Sequence, residues 1–294
     1  MKPANKRISN TQKVLRRFLK NIPALIGGIV LLAFLLVAVF SAFFAPNDPN
    51  EVHPELRMAE PSREYPLGND QLGRCVLSRL IAGTSTTLGN ALAVLAGILI
   101  IGVPLGVIAG YKGGVIDGII MRMVDIVCTF PSSLVGLAVV GILGPGLQNI
   151  MLVLVSLWWA PLARMVRGEV LQIREKGYIT AAKANGLSDT EIIFRHVILN
   201  VMSPVVVYAT LRIGAIIMHI AAFSFIGLGT QSPMSDWGVM LSEAREYLRL
   251  APRLMFWPGL AIMIVAFSLN IFGEGLGEAL KPSGKKLSRK EEAE

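Results

Sequence analysis

Apolar residues run along this chain in long blocks separated by short polar segments. No charged residue occurs between Lys20 and Asp48, Arg79 and Lys112, Asp125 and Arg164, or Arg253 and Glu274. A helix needs about 20 predominantly apolar residues to cross the hydrocarbon core of a bilayer. The run from Asp125 to Arg164 holds two such lengths, with a turn at Gly144, Pro145 and Gly146. The pattern predicts six transmembrane helices, at 22–44, 84–110, 119–142, 148–166, 202–228 and 254–273. The blocks are continuous rather than alternating, which selects helices over a β-barrel. Gly102, Pro104, Gly106, Pro131 and Gly136 fall inside them, and helices in lipid tolerate both residue types. The expected fold class is an all-α, polytopic membrane protein.

Composition agrees. Of 294 residues, 53% are hydrophobic and only 16% charged, far from a soluble average. The net charge of +8 is explained by where it sits. Residues 1–20 carry Lys2, Lys6, Arg7, Lys13, Arg16, Arg17 and Lys20 with no acid. Basic flanks mark the cytoplasmic side. Six crossings from there place 45–83, 143–147 and 229–253 outside. They place 111–118, 167–201 and the C-terminus inside, the last with Lys281, Lys285, Lys286, Arg289 and Lys290. The charge then requires no nucleic acid partner. The first span is too long for a signal peptide and lacks a small-residue cleavage pattern, so it reads as a retained anchor. Cys75 and Cys128 fall in the outer loop and in a span, so no disulfide framework is expected.

Several polar features carry candidate chemistry. Residues 9–20 read either as an amphipathic helix on the inner membrane surface or as a basic tail that sets topology. The outer segment 45–79 reads as a docking surface for an outside partner or as a connector sealing the bundle. Arg122 and Asp125, three residues apart on one helix face, suit a structural ion pair near the inner end of their span. An Asp within a span is otherwise a functional signal. The longest inner loop contains GYITAAKANGLSDTEIIFRHVILN from Gly177 to Asn200. Ala181, Ala182 and Ala184 favour helix, and Gly186 ends it. Ser188 with Glu191 is a capping box that starts a second helix near Asp189. Small residues at 181, 182 and 186 would leave a shallow face for a partner groove. An ordinary helical hairpin is the alternative.

This segment resembles the EAA motif of permease subunits of bacterial ABC importers. Ala181, Ala182 and Gly186 match, Thr180 stands in place of the motif's Glu, and Leu199 in place of its distal Pro. The resemblance covers nearly the whole chain from the first span onwards. It includes LGNDQLGRCVLSRLIAGTSTTL (Leu67–Leu88), MRMVDIVCTFPSSL (Met121–Leu134), WAPLARMVRGEVL (Trp159–Leu171), FIGLGTQSPMSDWGVMLSEAR (Phe225–Arg245) and FWPGLAIMIVAFSLNIFGEGL (Phe256–Leu276). The chain is similar to the second permease subunit of the dipeptide, oligopeptide and nickel importer family.

The resemblance implies a type I ABC importer permease fold. A basic segment (1–21) and an extra N-terminal helix (22–44) would precede a connector (45–83). A five-helix core (84–276) with a coupling segment at 174–201, and a tail (277–294), would follow. It also implies a bacterial inner-membrane location, a heterodimer with a second permease, two ABC ATPases and an extracytoplasmic substrate-binding protein. Thr180, Ala181, Ala182, Gly186, Leu187, Ser188 and Asp189 would then form the ATPase-coupling face. The chain has no phosphate loop of the form GxxxxGK[ST], so ATP and Mg would be used by the partner ATPase. No cofactor and no catalytic residue are assigned to this chain.

The substrate is less legible. Met218, His219 and Ser224 are candidates for the translocation path. Imidazole and thioether suit a late transition metal. Met218 beside His219, where the nickel branch of the family tends to carry Met-x-His, and MFWPGL downstream resemble that branch. One His does not make a metal site, and no metal ligand set is assigned. Nickel or a metal chelate and short peptides both remain open. A secondary transporter driven by an ion gradient is the rival reading, although no strong internal repeat supports it. A membrane enzyme built on Ser85 and His219 finds no support in the surrounding sequence.

Overall fold

The computed structural model describes residues 10–281, and the side chains of 14–281. Lys2, Lys6, Arg7 and the basic tail beyond Lys281 lie outside the described residues.

Helix α1 (Asn10–Phe18) leads into α2 (Ile22–Val39), whose N-cap Asn21 accepts a hydrogen bond from the Ala24 amide at 3.2 Å. The expected single span 22–44 breaks at Phe40, and a short α3 (Ser41–Phe44) follows. A largely irregular segment with one 3₁₀ turn (Pro54–Leu56) then reaches α4 (Val76–Lys112). Helix α4 has 37 residues, about 55 Å at 1.5 Å per residue, so it outruns the bilayer. The expected span began at 84, with Leu72, Val76, Leu77 and Leu80 at helical spacing leading into it. It stopped short of the charge of Arg79, whereas in the fold Arg79 is buried and paired.

The expected third span is also not one helix. Helices α5 (Gly114–Thr129) and α6 (Ser132–Leu143) meet at an angle of 81° across Phe130 and Pro131. Proline has no amide hydrogen and holds the residue before it extended, so the helix stops there. Helix α7 (Leu147–Arg174) is followed by the short α8 (Gly177–Ala184) and α9 (Asp189–Ile192). A π-helical turn (Ile193–Val197) runs into α10 (Ile198–Phe225), and α11 (Trp237–Ala244) and α12 (Arg253–Leu280) follow. Among the described residues, five helices are long and apolar enough to cross a membrane, or six with the bent pair as one.

Close helix approach is built on small residues. Gly102, Gly106 and Gly110 recur every fourth position on α4 and face Leu162, Val166 and Val170 of α7. A Cβ at Gly106 would lie 2.6 Å from the Ala163 carbonyl oxygen, and one at Gly110 2.7 Å from Val170 Cβ. Without water to drive association, helices in lipid gain chiefly from such backbone proximity and side-chain packing. Helix α2 rests on α12 in the same manner, with Ala24 filling the space above Gly275. Phe18 of α1 meets the ring of Phe272 edge-on at 5.4 Å, which holds α1 against the end of α12.

Candidate functional site

The segment 174–201 folds as a hairpin at the end of the bundle where α4 terminates. Helix α8 closes with paired backbone bonds, Gly186 N–H to the Lys183 carbonyl at 3.0 Å and Leu187 N–H to the Ala182 carbonyl at 3.2 Å. That closure places Gly186 at φ +80, a conformation that favours glycine. The expected capping box is present. The Glu191 amide donates to Ser188 Oγ at 3.3 Å, and the Ser188 amide to Glu191 Oε2 at 3.2 Å.

Thr180, Ala181, Gly186, Ser188 and Asp189 are exposed, and Leu187 is half-buried. Ala182 corrects the expected small-residue face. It is buried at 8% exposure, because its three-residue spacing from the buried Ile179 turns both toward the bundle. The exposed small positions are therefore Ala181 and Gly186.

Two connections fix this hairpin to the long helices. Its second arm continues through the π turn into α10 without a loop. Its centre is tied to α4: the Tyr111 hydroxyl donates to Asp189 Oδ1 at 2.6 Å, and Lys183 Nζ lies 5.1 Å above the Tyr111 ring. Arg174 of α7 donates to the Tyr111 carbonyl at 3.0 Å. Tyr111, Lys112, Arg174, Lys183 and Asp189 line an open pocket of about 510 Å³ here. Nearby, Arg167 holds Asp117 through two hydrogen bonds. Tyr111 was not singled out from sequence, since an aromatic residue at a helix end carries no partner information.

The expected Arg122–Asp125 pair is not formed. Asp125 instead meets Arg164 of α7 at 2.6 Å. Packing of α5 on α7 brings that guanidinium to the carboxylate, and sequence spacing along α5 could not reveal it. Both partners are more than half exposed, where such pairs contribute about 0–1 kcal/mol at most.

At the opposite end of α4, the buried Asp70, Arg74 and Arg79 and the half-buried Glu243 form a charged cluster that spacing did not expose. Arg79 Nη1 lies 2.6 Å from Asp70 Oδ2 and 2.7 Å from Glu243 Oε2. Arg74 bridges the same two carboxylates at 2.7 Å each. Burial pushes the Glu243 carboxyl up, but Arg79 and Arg74, with Gln71, outweigh it and hold Glu243 below the usual carboxylate range. Arg253 adds a second fastening through the Met58 and Ala59 carbonyls and Glu60.

Asp236 caps α11 by accepting from the Gly238 amide at 2.9 Å, and it takes the Thr87 hydroxyl at 3.1 Å. Burial nonetheless raises its carboxyl above the ordinary value. Trp237, fully buried, donates its indole N–H to the Leu80 carbonyl at 3.0 Å. The segment 45–75 is thereby clamped to α4, α11 and α12.

The candidate path residues separate. Met218 is exposed, and His219 is half-buried with its ring edge-on to Trp158 at 4.7 Å. His219 Nδ1 lies 2.9 Å from the Ala215 carbonyl. Ser224 does not join them. It is buried, accepts from the Thr230 amide at 3.4 Å, and packs against Gly229 and Gly238. Packing of the turn after α10 against the start of α11 covers it. Among the described residues, no cluster of His, Cys, Asp or Glu has the geometry of a metal site. Arg212, which the sequence reading passed over, stands halfway along α10 against Trp158 and Tyr208. Its signal was a charged residue inside an apolar span.

Long apolar helices packed on glycine, with a polar hairpin fixed to two of them, define a polytopic membrane transport permease. Comparison with known proteins agrees. Residues 102–286 match the family described as binding-protein-dependent transport system inner membrane component, and residues 9–61 match the N-terminal TM domain of oligopeptide transport permease C. The dipeptide transport system permease protein DppC of Alkalihalophilus pseudofirmus is 38% identical over 95% of this chain and 91% of its own length. The nickel transport system permease protein NikC of Escherichia coli is 37% identical, covering 87% of this chain and 92% of its own. The glutathione transport system permease protein GsiD of Pectobacterium atrosepticum is 38% identical, covering 92% and 90%. A solved chain of the MetNI methionine ABC transporter, in inward-facing conformations, shares the fold with a TM-score of 0.55 at 19% identity. It covers 70% of this chain and 98% of that one. This chain belongs to the family of binding-protein-dependent transport system inner membrane components.

Proposed function

We propose that this chain is one of two permease subunits of an ATP-driven importer in a bacterial inner membrane. It forms half of a translocation path for a metal chelate such as chelated nickel, or for short peptides. The division into an N-terminal basic segment and helix, a connector at 45–83, a core at 84–276 and a C-terminal tail follows that reading. Both termini and the 174–201 hairpin face the cytoplasm, the clamped 45–75 segment faces outside, and lipid covers the exposed apolar faces. Two ABC ATPases that use ATP and Mg bind beneath, and an extracytoplasmic binding protein delivers substrate.

The observation that carries the reading is the exposed hairpin surface at Thr180, Ala181, Gly186 and Ser188, tied through Tyr111 to α4 and continuous with α10. A partner seated there can move two long helices at once, which is what coupling ATP hydrolysis to alternating access requires. The test is a mild-detergent pull-down of the tagged chain, wild type beside Gly186→Trp, with partners identified by mass. The expected result is a second permease and an ATPase with the wild type, and loss of the ATPase alone with the variant. A chain recovered without any ATPase would overturn the proposal and favour a secondary transporter.

A further inference from the structure

Arg212 lies halfway along α10, fourteen residues after Ile198 and thirteen before Phe225. Those separations are about 20 Å at 1.5 Å per residue, and on the importer reading they put Arg212 well inside the membrane. Its carbon lies 5.0 Å from the Tyr208 ring centroid and 5.4 Å from that of Trp158 on α7. Among the described residues it has no ion-pair partner and no hydrogen-bond partner. The Tyr208 hydroxyl also has no partner among them, and only the Nδ1 atom of His219 is engaged. Arg212 and His219 both meet the half-buried Trp158, His219 edge-on to its ring.

A charged side chain at this depth is not tolerated against lipid; such residues face a water-filled cavity or a protein interior and mark substrate paths. Aromatic rings beside the guanidinium stabilise the cation, and its N–H donors have no partner among the described residues. Those donors have the fork geometry that fits a carboxylate with two parallel hydrogen bonds.

We infer that Arg212, backed by Trp158 and Tyr208, is an intramembrane way-station for a carboxylate on the transported substrate. The inference rests on the importer reading above and narrows its substrate class. A peptide C-terminus and an amino-acid chelate of a metal both present a carboxylate, so one site serves either. The guanidinium pairs with it transiently as the substrate passes. Its aromatic backing keeps it oriented when no substrate is present. His219 stands edge-on to the same indole, with Nδ1 held by the Ala215 carbonyl and its other ring nitrogen without a partner among the described residues.

The test uses the full importer with its second permease, ATPases and binding protein in proteoliposomes, and two probes, dialanine and the nickel–histidine complex. Arg212→Met keeps the volume and removes the charge; Arg212→Lys keeps the charge. Uptake is expected to fall roughly tenfold in the first and to be largely retained in the second, tenfold corresponding to the loss of one good charge-assisted contact. Arg212→Cys, in a Cys128→Ser background since Cys75 is buried, is expected to be slow. Treatment with trimethylammonium-ethyl methanethiosulfonate should restore it by placing a quaternary cation on the same aromatic faces. The uncharged methyl reagent should not.

Wild-type uptake by Arg212→Met would overturn the inference, as would equal loss in Met and Lys variants without rescue, or no reaction of Arg212→Cys with the charged reagent. Loss of the second permease from the Arg212→Met complex would make the residue an interface partner instead. A correctly assembled wild-type complex that carries neither probe would overturn the substrate reading itself, and the inference with it.

Discussion

The Tyr111 hydroxyl and Asp189 Oδ1 stand 2.6 Å apart across 78 residues of sequence. The bond joins the last turn of α4 to the first residue of α9, so the hairpin cannot shift without loading α4. Tyr111→Phe keeps the ring beneath Lys183 and removes the bond. A hydrogen bond to a charged acceptor contributes about 1.5–3 kcal/mol. Transport per ATP hydrolysed is expected to fall roughly tenfold, which corresponds to about 1.4 kcal/mol, with the ATPases still bound. Uptake and hydrolysis measured on one reconstituted sample check this; an unchanged ratio would remove Tyr111 from the coupling route.

Gly106→Val fills a space that does not exist. A Cβ there already meets the Ala163 carbonyl oxygen at 2.6 Å and Val166 Cβ at 2.7 Å. Overpacking of a close contact costs about 1–3 kcal/mol. The melting temperature in detergent should drop by several degrees. Gly118→Val is the control, because nothing lies within 4 Å of its Cβ direction, and it should melt like the wild type.

Glu243→Gln leaves Arg74 and Arg79, both 1% exposed, with Asp70 as their one remaining carboxylate. Breaking a buried pair costs about 3–5 kcal/mol, and the clamp on segment 45–75 should loosen, read as faster proteolysis of that segment.

The same pair gives a pH dependence. Because the folded-state value of Glu243 is depressed, its contribution is complete above the unfolded value of about 4.3. It is lost as pH falls through the folded value. Asp236 is shifted upward by burial and acts in the opposite sense, its contribution present below about 3.9 and lost as pH rises through its folded value. Subtracting the Glu243→Gln melting curve from the wild type cancels Asp236. The difference should shrink below pH of about 4; a difference independent of pH would contradict the pairing.

His219→Ala separates the two substrate classes. If the free ring nitrogen touches a metal chelate in passage, nickel–histidine uptake should fall several-fold while dialanine uptake changes little. Equal loss of both would leave His219 as packing for Trp158, to which it is already held edge-on.

Periodicity and charge along the chain were sufficient to determine the membrane class, the approximate helices and the hairpin with its capping box. Those features depend on residues that are neighbours in sequence. An apolar block must be a helix in lipid, since each backbone group has to find its partner within the segment, and Ser188 and Glu191 meet within one turn. Tertiary structure decided everything that depends on which helix lies beside which. Asp125 takes Arg164 rather than Arg122, and Ala182 turns inward with Ile179. Pro131 bends one expected span into two helices, and Arg79 sits inside α4 only because Asp70 and Glu243 arrive to neutralise it. A charge reads as a boundary until its partners are placed, and one of the two partners of Arg79, Glu243, lies 164 residues away.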